Sequence, residues 1–260
     1  MSMENRKKTI DSRRIGLLTD IRLAEVMPSD VALWPIGSIE PHGHLPLATD
    51  SMLPTAILER VSLDVEGVWL LPTLPIGHLF KYGNWPGAIE MPHDAVTSTV
   101  TSVCQGLSRI GLRRLLVMSG HDENRESVII GLQEGHKRFQ ISSVYCDWID
   151  LAESLLPILN ESGCESHASE IQTSVFMYLF PEISINLPER ASESRQPPRI
   201  GADDLFAPRE CGEWVSLVTQ TLNLRNAPDS ASASGEKGRQ VVEHIIERCR
   251  AILESLREKD

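Results

Sequence analysis

A chain of 260 residues with 41% apolar side chains is long enough to bury a sizeable core, as one α/β domain or as two. Its 36 acidic against 25 basic side chains give a formal charge of -11 and a pI of about 5.2, which argues against a nucleic-acid groove or an anionic membrane surface as partner. Chemistry on a small molecule or a peptide fits this balance better.

The opening segment, MSMENRKKTIDSRRIG, lacks the apolar core of a signal peptide. No apolar run approaches the roughly 18 to 20 residues of a spanning helix, so a cytoplasmic protein is expected. The five cysteines (Cys104, Cys146, Cys164, Cys211 and Cys249) are scattered with no C-x-x-C pair and read as reduced thiols.

VALWPIGS (31–38), VWLLPTLPIG (68–77), RRLLVMSGH (113–121) and QISSVYCDW (140–148) read as strands. Between them SMLPTAILERVSL, HDAVTSTVTSVCQGLSRIG and NRESVIIGLQEGHKRF carry apolar residues at helical spacing. The alternation predicts a mostly parallel β-sheet flanked by helices on both faces. After the fourth strand, ESHASEIQTSVFMYL begins another helix, which Ser166 or Thr173 could cap. SESRQPPRIGADD (192–204) reads as a polar loop, and the serines of NAPDSASASGEKGRQ can cap the last helix. With no internal repeat and no linker, residues 1–260 are expected to form one α/β domain.

Polar residues of one chemical kind gather where strands end. Glu40, His42 and Asp50 follow the first strand, and His121 and Glu123 follow the third. In a parallel sheet both ends share one edge, where ligands bind. E-P-H puts Glu40 and His42 on the same side of an extended backbone, and Asp50 returns from a loop containing Pro46. Two histidines and three carboxylates suit a pair of zinc, manganese or iron ions better than calcium or copper. Any one of them alone reads equally as a surface charge; five at two strand ends do not. His93, His136 and His244 read as surface residues, and His44 as either a supporting donor or a further site group.

These stretches also carry a resemblance. PIGSIEPHGHLPLATDSMLP resembles the signature P-x-G-S-x-E-x-H-G-x-H-L-P-L-x-T-D of the creatininase (creatinine amidohydrolase) family, MSGHDENRES its G-H-x-E-N motif, and SHASEIQTSVFMYLFPE its H-A-G-x-x-E-T-S helix. NWPGAIEM and APDSASASGEKG are similar to two of its turns. The resemblance implies a creatininase-like metallohydrolase with two divalent ions and a homo-oligomer, often a hexamer. It assigns Glu40, Asp50 and His121 to one ion, His42, Asp50 and Glu123 to the other, and the catalytic role to His167. The implied reaction is hydrolysis of a C–N bond in a small amide, formamide or peptide-like substrate by hydroxide held on the metals.

The chain departs from the family pattern at four places. Gly43 is followed directly by His44, Gln172 stands where the pattern has glutamate, Ser119 where asparagine is common, and Ala88 where the turn has threonine. Glu170 is the nearby carboxylate that could stand in for the missing glutamate as a second catalytic group. His78, Lys81 and Asp122 are candidates for substrate binding, with Phe80, Trp85 and Trp148 as further wall residues. Gln172 and the shortened loop also motivate an alternative, a metal-binding homologue of weak catalysis with a structural or regulatory role. A phosphoester hydrolase is less favoured, because the pocket-forming loops hold few arginines.

Overall fold

The computed structural model describes residues 3–80, 83–162, 167–187 and 230–258. Lys81, Ser166, Cys164, Cys211 and the 192–204 loop lie outside them.

Four strands, β1 (Val31–Ile36), β2 (Val68–Leu70), β3 (Arg114–Ser119) and β4 (Ser142–Asp147), form one all-parallel sheet in the order β2-β1-β3-β4. Helix α1 (Met3–Ser12) precedes it. The principal later helices are α2 (Thr49–Asp64), α3 (His93–Arg109), α4 (Arg125–Phe139), the short α5 (Leu156–Leu159), α6 (Glu170–Leu179) and α7 (Gly235–Glu258). The expected alternation of strands and helices is present. One boundary differs: α2 begins at Thr49, so Asp50 lies in a first helical turn rather than in a loop. A carboxylate there also meets the positive end of the helix dipole.

Side chains of successive strand residues point to opposite faces, and both faces are covered. Val31, Leu33, Leu116 and Met118 pack against apolar residues of α2, α6 and α7. Ala32, Trp34, Ile36, Leu115 and Val117 pack against α3 and α4. Every residue of β1 is buried in consequence. Trp148 belongs to the first of these cores, with 3% exposure, rather than to a pocket wall.

Proline inside a central strand is unusual, because it has no N–H for the ladder. Here the β2-side partners of Leu33 and Pro35 are Leu71 and Leu74, which donate to their carbonyls. The missing N–H of Pro35 therefore faces the side on which β2 has already ended at Leu70.

The sheet order reverses direction between β1 and β3: the chain goes from β1 outward to β2, then crosses back to β3. Such a switch point opens a crevice beyond the carboxyl ends of the two strands. Ile36 and Ser119 are partners at those ends, so the segments starting at Gly37 and Gly120 leave the sheet side by side. Among the described residues, no helix is long and apolar enough to cross a membrane.

Candidate metal centre

Backbone fit brings Asp50 into the crevice. A Cβ on Gly120 would fall 1.9 Å from the Asp50 carbonyl oxygen, and one on Gly37 would fall 2.3 Å from it. Only glycine at both strand ends lets the first turn of α2 approach this closely. Pro54, four residues after Asp50, offers that carbonyl no helical N–H. Asn124 fastens the other walls, donating Nδ2–H to Gly37 O at 3.0 Å and accepting the His78 N–H at 3.0 Å.

Glu40, His42, Asp50 and His121 all converge and are at most 3% exposed. His121 Nδ1 lies 2.9 Å from Glu40 Oε1 and 3.2 Å from Asp50 Oδ2. His42 Nε2 lies 2.8 Å from Asp50 Oδ1. The far nitrogen of each ring is fixed to main chain: His42 Nδ1 donates to Glu40 O at 2.9 Å, and His121 Nε2 donates to His78 O at 2.8 Å. Ser38 Oγ donates to Asp50 Oδ2 at 3.0 Å, whereas Glu40 Oε2 is buried with no hydrogen-bond partner.

His167 joins from the segment before α6. Its ring centroid is 4.1 Å from that of His42, its Nδ1 is 3.9 Å from Glu40 Oε1, and its Nε2 donates to Pro41 O at 2.5 Å. Among the described residues two groups of ligand atoms result, each within 4.8 Å: Glu40, Asp50 and His121; and Glu40, His42 and His167.

The electrostatics follow from burying anions and imidazoles together. Burial raises the Glu40 carboxyl to about 7, in spite of His121 beside it. Burial opposes charge on Asp50 too, but His42 and His121 override it and hold that carboxyl well below its ordinary value. Both histidines are raised in turn: burial opposes their charged forms, and Asp50 and Glu40 outweigh it. His167 goes the other way, lowered to about 4 by burial and then by His42.

Whether these groups suit a cation can be judged from the rings. Each of His42 and His121 anchors its far nitrogen on a main-chain carbonyl and turns its near nitrogen toward carboxylates, the arrangement by which proteins present imidazole to a metal. Asp50 and Glu40 favour the charged form of both rings, and a divalent ion can take over that balancing charge. The unpartnered Glu40 Oε2 offers a further ligand atom. The donor set fits a transition-metal ion or zinc.

The remaining predicted residues are placed as follows. Glu123 stands apart from both ligand groups: its Oε2 accepts the Phe80 N–H at 2.6 Å and lies 3.8 Å from His121 Nε2. Glu170 is fully buried, but its carboxylate pairs with Lys237 and accepts the Ser162 N–H at 2.8 Å, so it faces away from the cluster. Gln172 instead touches the site, donating Nε2–H to Asp50 Oδ1 at 2.9 Å. His78 stacks on His93 with centroids 3.4 Å apart, and Asp122 is exposed beside Glu123. The Nε2 of His44 is buried without a hydrogen bond. Gln172 and the carbonyls of Glu40, His78 and Pro41 were not read from sequence as parts of the site; a main-chain acceptor leaves no signature in the chain.

Comparison with known proteins gives three kinds of relative. A family model described as creatinine amidohydrolase matches residues 18–253. The chain is 27% identical over 171 residues to a creatinine amidohydrolase of Pseudomonas putida, covering 59% of this chain and 65% of that protein. It is 28% identical over 161 residues to a 3-dehydro-scyllo-inosose hydrolase of Thermotoga maritima, covering 59% of this chain and 51% of that protein. Both matches thus span less than two thirds of the relative's length. A mycofactocin precursor peptide peptidase of Mycobacterium ulcerans is 25% identical over 244 residues, covering 90% of this chain and 88% of that one. Among solved structures, a mutant creatininase of type II superposes with a TM-score of 0.73 at 25% identity, covering 94% of this chain and 98% of that one.

Proposed function

The chain belongs to the creatinine amidohydrolase family, and from that premise we propose that it is a metal-dependent hydrolase cleaving a C–N bond of a small, cyclic or peptide-like amide. The observation that carries this reading is the paired anchoring of His42 and His121, each with one nitrogen on a main-chain carbonyl and the other against Asp50. In the proposal Glu40, Asp50 and His121 would hold one divalent ion, zinc or manganese, and His42 and Asp50 a second, which Glu123 would complete on exchanging the Phe80 N–H for the ion. Cations bound there would supply Lewis acidity, polarising a carbonyl and acidifying water.

The chain's own residues supply the rest. His167 keeps Nε2–H on Pro41 O, and its lowered pKa leaves the ring neutral near pH 7. Its Nδ1 is the atom assigned to receive a proton and return it to the departing nitrogen, without which an amide C–N bond does not break. Ser38 and Gln172 hold Asp50 from either oxygen, so its orientation is set before substrate arrives. His78 and Asp122 are assigned to substrate contact.

The named activities of the relatives span creatinine, 3-dehydro-scyllo-inosose and a precursor peptide, which supports a hydrolase; creatinine and the peptide carry C–N bonds and support the amide reading, whereas an inosose has none. One observation favours a second reading, a metal-binding homologue of weak catalysis. Glu170 is committed to Lys237 and does not replace the glutamate missing at Gln172. A panel of small amides, including creatinine, formamides and short peptides, separates the two. Turnover that disappears on chelation and in Glu123→Gln supports the enzyme; metal uptake without turnover on any amide supports the second reading.

A further inference from the structure

Gln172 carries the inference, which rests on the metal-dependent reading of the cluster. Its side chain is 7% exposed and engaged at both ends. Oε1 accepts the Ala168 N–H at 2.7 Å, and Nε2 donates to Asp50 Oδ1 at 2.9 Å. The partners fix which end is which, because a carboxylate needs a donor and an N–H needs an acceptor. Ala168 has a φ of +57°, the left-handed region that a residue with a Cβ enters only at a cost. It directly follows His167, whose ring packs on that of His42. One amide therefore joins the carboxylate shared by two histidines to the strained peptide that aims a third. A carboxylate in its place could not donate to Asp50 and would set two buried like charges side by side.

We propose that Gln172 is a positioning residue that couples the orientation of Asp50 at the metals to the placement of His167. On this reading glutamine is a working part of the site rather than a defect in it. The amide does two jobs, and its loss should disturb both together.

The test uses the full chain loaded with zinc, and two readouts that need no substrate. Zinc affinity is measured by competition with a chromophoric chelator. Accessibility of His167 is measured by diethyl pyrocarbonate labelling and peptide mass spectrometry. Gln172→Met, close in volume, is expected to weaken zinc binding by about tenfold and to speed His167 labelling several-fold. Gln172→Ala, which leaves room for water, is the second variant and is expected to give the same pair of changes. Adding Ala168→Gly to Gln172→Met should return labelling toward wild type, since glycine adopts positive φ freely, and should leave zinc binding weak. Zinc affinity and labelling both at wild-type values in the two single variants would overturn the proposal, as would a change in only one of them. A wild-type chain that takes up no zinc would overturn the metal-dependent reading beneath it and is seen before any variant is compared.

Discussion

Oδ1 of Asp50 lies 2.8 Å from Nε2 of His42, and its other oxygen, Oδ2, lies 3.2 Å from Nδ1 of His121. One buried carboxylate thus faces a different imidazole with each oxygen, which is the disposition a bridging ligand requires. If two cations bind here, they stabilise the folded state by mass action. At a hundred to a thousand times the dissociation constant the gain is about 3 to 4 kcal/mol. Chelation should lower the melting temperature clearly, and an unchanged melt with metal loss confirmed would count against a preformed centre.

Two glycines should behave in opposite ways when given a methyl group. Gly120→Ala would force a Cβ onto the Asp50 carbonyl, a backbone atom with no room to yield, and should cost about 3 kcal/mol or prevent folding. Gly106 lies exposed in α3 with nothing within 4 Å of the same methyl. Gly106→Ala should therefore stabilise by about 0.5 to 1 kcal/mol through helix propensity and unfolded-state entropy. Urea denaturation of the two variants checks both signs.

The half-buried Lys237 pairs with the fully buried Glu170 between α6 and α7, and the lysine is also bonded to Glu161 and the Ser232 carbonyl. Lys237→Met would leave the Glu170 carboxylate buried and uncompensated, at a cost of about 3 kcal/mol. Adding Glu170→Gln should recover much of that loss. A double variant no more stable than Lys237→Met would show that the pair is not what couples the two helices.

A pH dependence comes from Asp147 at the end of β4. Burial raises its carboxyl to about 6, although Tyr145 donates to it at 2.7 Å and Arg125 pairs with it. An acid whose folded pKa exceeds its unfolded value of about 3.9 binds its proton more tightly in the folded state. The stability it contributes is full below about pH 4 and is lost as pH rises through about 6, by about 2 to 3 kcal/mol. Stability measured from pH 4 to 7 should change less in Asp147→Asn than in wild type across that window. Parallel profiles would contradict the assignment.

Much of this was legible in the chain, for physical reasons. Strands buried on both faces read as continuous apolar runs, and the alternation with helical spacing gave the parallel sheet; ligand-type side chains just past two of those runs marked the shared edge. Asp50 was assigned to a loop because Pro46 precedes it and the helical spacing of apolar residues reads from Ser51, whereas α2 begins two residues earlier, where the backbone of Asp50 packs against Gly37 and Gly120. Gln172 read as a missing carboxylate because its partners, Asp50 and Ala168, meet it only in three dimensions. Glu170 read as its substitute because proximity in sequence hid Lys237, which arrives from α7, 67 residues on. Glu123 was grouped with the ligands by its spacing from His121, and the structure turns its carboxylate to the Phe80 N–H.

The proposed function requires this cluster to hold two cations that share Asp50. The most direct test is elemental analysis of the full chain after reconstitution with zinc and removal of loosely bound metal, beside His42→Ala treated identically. About two ions per wild-type chain and about one in the variant are expected. One ion or fewer in the wild type, or an unchanged count in His42→Ala, would contradict it.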